Sequence, residues 1–149
     1  MLFMRHTLSI LCLLSLLFAI NTYAQTGNFN LEDWPQTQAA LKHIYVKAIM
    51  EQAGVHHVSF IKPAEFYTEE LDKFAAFAQE KNYRPYLKTS VAQNLATLAV
   101  IHCDWNNGVP PWEFAQKYLG DKQLELLQPV YGDAITKLQN NCGHPTNSQ

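Results

Sequence analysis

PAEFYTEELDKFAAFAQEK, residues 63–81, is the stretch that decides the fold. Tyr67, Leu71, Phe74, Ala75 and Ala78 recur three and four residues apart, which places them on one stripe of a helix of 3.6 residues per turn. Pro63 suits a helix start, because a first-turn residue needs no N–H donor. Glu69, Glu70 and Asp72 lie near the start, where the helix dipole favours acids, and otherwise read as a solvated face. The spacing predicts a helix from Pro63 to about Lys81, with Thr68 as the place where it could break.

The same period extends in both directions. Upstream, Asp33-Trp34-Pro35 signals a helix start and Gly54 a helix end. Leu41, Ile44, Tyr45, Ala48 and Gln52 share a face there, and Val46, Ile49, Met50 and Ala53 widen it, so burial on more than one side is expected. Val55 to Ile61 reads either as a short extended segment or as an apolar linker. Downstream, residues 82–88 form a connector around Pro85. Ser90 and Gln93 then fit a capping box opening a helix from Val91 to about Trp105. Ala92, Leu95, Ala96, Ala99 and Cys103 share its face, and Asn106-Asn107-Gly108 stops it. A short helix from Val109-Pro110-Pro111 to Leu119 closes at Gly120. In the last segment Pro129 and Gly132 predict a kink or two short helices, with Leu127, Tyr131, Ala134, Ile135, Leu138 and Cys142 in phase. The expected fold is all-α, a small irregular bundle of about five helices in one domain over residues 33–142. Residues 25–32 and 143–149 read as a flexible N-terminus and tail.

Met1 to His6 carries Arg5 and no acid, Thr7 to Ile20 is apolar, and Thr22 and Ala24 are the small residues a signal peptidase needs. The apolar run is shorter than the roughly 20 residues of a membrane span. Residues 1–24 therefore read as a cleaved export signal, leaving 125 residues, enough for one core. Without Arg5, ten basic and thirteen acidic side chains remain, a net charge of −3. A weakly acidic chain with no Lys/Arg block argues against nucleic-acid binding, which works by neutralising phosphates. The expected location is periplasmic or extracellular, with no membrane anchor after signal cleavage.

Of three cysteines, Cys12 leaves with the signal. Cys103 and Cys142 then have one possible pairing in an oxidising compartment, and a structural disulfide is expected. In HCDWNNG, residues 102–108, His102 sits beside Cys103, but neighbours on a helix point about 100° apart, which argues against a thiol–base pair. The bond would bring His102 and Asp104 near His144, a weak metal-ligand set. His56-His57 shows no ligand spacing. No GxSxG, P-loop, GxGxxG, CxxC or HExxH is present, so no catalytic residue and no cofactor is assigned.

Two surfaces are candidates for binding. Lys81, Arg84 and Lys88 flank Tyr83 and Tyr86, which reads either as a turn whose tyrosines pack inward and whose cations are solvated or as three cations and two tyrosines suited to a phosphate, an anionic lipid headgroup or an acidic partner. Trp105 and Trp112 flank a Pro-rich turn; exposed they would anchor an interface, and buried they would pin the turn to the core. The leading functional expectation is an exported helical protein that binds a protein partner without catalysis, such as a host- or competitor-directed factor. The alternatives are an anionic-headgroup module on the Lys81–Lys88 segment and a hydrolytic or metal-dependent enzyme gathering His56, His57, His102 or Asp104.

From Cys103 to Cys142 the chain runs cysteine, a turn with Gly108-Val109, a helix ending Lys117-Tyr118-Leu119, and a last helix closing on cysteine. This resembles the small two-cysteine helical immunity proteins of the Tai type, which neutralise type VI secretion amidases in the periplasm. The resemblance covers about a third of the mature chain, by spacing and a three-residue string. It implies a helical fold and a toxin-binding function without catalysis, and no site residue is carried over from it.

Overall fold

The computed structural model describes residues 29–55, 60–104 and 110–143. Residues 1–24, which the sequence reads as an export signal, and His56, His57, Trp105 and His144 lie outside these residues. The fold is all-α. Five principal helices run α1 Ala39–Val55, α2 Ala64–Glu80, α3 Val91–Ile101, α4 Pro111–Leu119 and α5 Asp121–Gln139. A 3-10 turn, Leu31–Gln36, precedes them, one helical turn, Arg84–Leu87, lies between α2 and α3, and a 3-10 turn, Asn141–Gly143, follows α5.

Helix α2 is the centre of the core. Its stripe of Tyr67, Leu71, Phe74, Ala75 and Ala78 is fully buried, and the helix is unbroken at Thr68. It packs on the 3-10 turn that carries Leu31 and Trp34, on α3, and on Tyr131 of α5 through Phe74. Helix α3 begins as expected, with Ser90 Oγ accepting the Gln93 N–H at 3.2 Å.

The flexible N-terminus expected over 25–32 is corrected from residue 29 onward. Phe29 and Leu31 are buried, and the strand-like strap they form pairs with the start of α3: Leu31 N donates to Thr89 O and Val91 N to Phe29 O. Two large apolar side chains gain more from the core than the strap loses in freedom. Pro35 belongs to the 3-10 turn, and α1 starts later, at Ala39. Helix α1 is also less buried than its composition suggests. Tyr45 and Val46 are buried, but Ile44 is 41% exposed, because α2 is its main neighbour.

The last segment is one helix with a kink. Pro129 has no N–H to donate to Glu125, and two residues later Tyr131 leaves helical geometry at φ −118° and ψ 22°. Between α4 and α5 stands a single residue, Gly120, at φ 80° and ψ 155°, backbone that only glycine adopts freely.

Candidate functional site

Both cysteines were expected on helical stripes, and both lie instead just past helix ends. Helix α3 stops at Ile101 and His102 caps it, four residues short of Trp105. Cys103 then takes a left-handed φ of 58°. Cys103 N donates to Val100 O, and Asp104 N reaches back to Ala99 O at 2.8 Å. This is the Schellman cap, in which the left-handed position is ordinarily glycine. Helix α2 ends the same way with Asn82 at φ 53°, a residue type that tolerates this conformation.

The Sγ atoms of Cys103 and Cys142 are bonded at 2.08 Å, with Cα atoms 5.8 Å apart. Cys142 is itself left-handed, at φ 58°, between Asn141 at 50° and Gly143 at 77°. Left-handed backbone costs a residue with a side chain about 1–2 kcal/mol. Here it is fixed from several sides. The Asn141 side chain accepts the Trp112 N–H at 3.1 Å, capping the start of α4, where Pro110 has no side-chain acceptor to offer. Trp112, a candidate interface residue, is half-buried beside this turn.

The Schellman cap delivers Asp104 into the interior, 4% exposed. Asp104 Oδ1 accepts the Ile61 N–H at 2.7 Å. Oδ2 accepts the Lys62 N–H at 3.1 Å and the Tyr67 hydroxyl at 2.6 Å. Burial and the neighbouring Asp104 carboxylate push the Tyr67 phenol far above its ordinary range, so it stays a donor. This bracket fixes the backbone entering α2. The Ile61 side chain nevertheless stands 89% exposed. Beside it the Lys62 ammonium lies 4.8 Å over the Phe66 ring, with no carboxylate within 4.0 Å among the described residues.

One residue before the cysteine, His102 faces the other way. Its Nε2–H donates to Glu70 Oε2 at 2.7 Å, and both side chains are about 15% exposed. Phe66 and Tyr131 meet the imidazole edge-on. Burial lowers the His102 pKa, Glu70 works against the shift, and Lys62 and Lys73 add to it. Glu70 therefore belongs to a packed contact between α2 and the end of α3, and not to the solvated face expected for it.

The metal-ligand set proposed from the sequence is not assembled by these contacts. His102 is engaged with Glu70 and Asp104 with the 61–67 segment, while His144 lies outside the described residues. No group of three metal-capable side chains forms among the described residues. The Lys81–Lys88 segment also divides. Tyr86 is buried against Phe74 at 5.0 Å, and Tyr83 packs on Phe77. Lys81 pairs with Glu80 and Lys88 with Glu32, leaving Arg84 exposed at the surface. The tyrosines turn inward because Arg84–Leu87 is a turn of helix with an apolar side, not an open connector.

Comparison with protein-family models, with curated proteins and with solved structures finds no match.

Sequence reasoning missed the Ile61–Asp104 bracket. Its partners stand 37 to 43 residues apart, and no local pattern joins them. The one available signal was the aspartate directly after a helix-ending cysteine.

Proposed function

We propose that this chain is an exported helical protein that binds a protein partner through a surface centred on Ile61 and Lys62. The observation that carries the reading is a large aliphatic side chain, 89% exposed, on backbone clamped by a buried carboxylate. An anchor held in place before encounter loses little freedom on binding, which is what a hot-spot residue needs. The Lys62 ammonium beside it selects a partner whose apolar socket has a carboxylate at its edge. Export is supported by the disulfide, and among the described residues no helix is long and apolar enough to cross a membrane.

A second reading narrows the partner to a periplasmic amidase toxin. It is favoured by the Cys103–Cys142 bond, which closes α4 and α5 into a hairpin over the stretch that resembles Tai-type immunity proteins. The anionic-headgroup alternative is weakened by the inward packing of Tyr83 and Tyr86.

The test is quantitative cross-linking of the exported protein in periplasmic extract and with purified cell-wall amidases, comparing wild type, Ile61→Asp and Tyr118→Asp. Tyr118 is an exposed aromatic side chain on α4. A one-to-one complex abolished by Ile61→Asp and kept by Tyr118→Asp supports the reading. A complex indifferent to Ile61→Asp, or no complex at all, overturns it.

A further inference from the structure

We propose that the Cys103–Cys142 bond gates the display of Ile61 and Lys62, so that the oxidised chain presents a clamped binding loop and the reduced chain a slack one. The proposal rests on the Ile61-centred reading of function and adds its regulation.

Three observations carry it. Asp104 follows Cys103 directly, and its carboxylate reaches Ile61 and Lys62 from a turn in which Cys103 holds φ at 58°. The equivalent position at the end of α2 is Asn82, which adopts this conformation without a cross-link. Cysteine lacks that tolerance, and the bond to a second left-handed cysteine supplies it. With the bond broken, Cys103 is free to return to ordinary backbone angles, and the peptide leading into Asp104 turns with it. The two amides then lose their acceptor.

The effect is local. Both cysteines are half-buried at the rim of the core. The centre, with Trp34, Phe74, Leu95 and Leu127 fully buried, is held by helix packing that does not pass through the sulfurs. The chemistry is thiol–disulfide exchange with a dithiol reductant. A reductant thiolate attacks one sulfur and the Sγ–Sγ bond breaks. The second reductant thiol resolves the mixed disulfide. Two electrons and two protons pass to Cys103 and Cys142, and the dithiol becomes a disulfide.

The experiment is amide hydrogen exchange by NMR on the full mature chain, oxidised and dithiol-reduced. Reduction is expected to speed exchange at Ile61 and Lys62 at least tenfold, to nearly the unprotected rate, while the Leu71 and Leu98 amides, whose exchange follows global stability, stay protected. Equal protection of Ile61 and Lys62 in both forms overturns the gate. So does joint loss of protection at all four amides, which would make the bond a staple for the whole fold. The double variant Cys103→Gly/Cys142→Gly gives a second readout, because glycine takes the left-handed angles freely. It should keep Ile61 and Lys62 slow under reductant, and fast exchange there refutes the proposed cause. Cross-linking with oxidised wild type and Ile61→Asp tests the underlying reading separately, since its failure leaves the exchange result standing.

Discussion

Asp104 is the residue on which most converges. Replacing it by alanine strands two amide N–H groups and the Tyr67 hydroxyl in a buried place. Asp104→Ala should lower the unfolding free energy by about 3 kcal/mol in urea titration, and Asp104→Asn, which keeps one acceptor oxygen, by less. Tyr131 makes the opposite case. Its hydroxyl is buried without a hydrogen-bond partner among the described residues, and burial together with Glu70 raises its pKa. Tyr131→Phe should therefore be neutral, or stabilising by up to about 1 kcal/mol. His102 gives a pH dependence. Burial sets its folded pKa below the unfolded value of about 6.5, so the unfolded chain binds the proton more readily. That part of the stability is complete above about pH 6.5 and declines as the pH falls through the lowered folded value. The urea midpoint of wild type should drop more steeply on acidification than that of His102→Gln, and parallel curves would contradict the shift.

Among the elements, the α4–α5 hairpin turns on one residue. At φ 80° and ψ 155°, Gly120 has open space around it, so the penalty of a side chain is in the backbone alone. Gly120→Ala should destabilise by about 1–3 kcal/mol, read as a lowered Tm. Helices with one clear stripe were legible in the sequence: α2 lies where its spacing puts it, and its whole stripe is buried. Helix α1 was not, because apolar residues all round it give period but no direction, and only packing shows that Ile44 faces out. The end of α3 was hidden for a different reason. Cys103 stays in phase with the stripe, and a Schellman cap with cysteine in glycine's place leaves no sign in composition. The candidate site was the least legible part. Asp104 and His102 were noticed as possible ligands, but their partners sit on α2 and its approach, 32 to 43 residues away.

For the whole molecule, the disulfide joins residues 39 apart in sequence, spanning α4 and α5. The chain-entropy account gives such a loop about 4 kcal/mol, within a typical total of about 5 to 15. Reduction should lower the urea midpoint by the corresponding amount and leave a folded, helical domain at room temperature. Complete loss of helical circular dichroism on reduction would mean that the core is weaker than its burial implies. The strap at residues 29–31 bears on how the chain comes together in time. Its two backbone bonds are to Thr89 and Val91, about 60 residues later, and its side chains plug the core against α2. A chain emerging from its N-terminal end therefore has its plug ready long before the socket exists. Such distant pairing closes slowly, because the entropy of the intervening loop must be lost first. Until Val91 is out, Phe29, Leu31 and Trp34 stay unhoused.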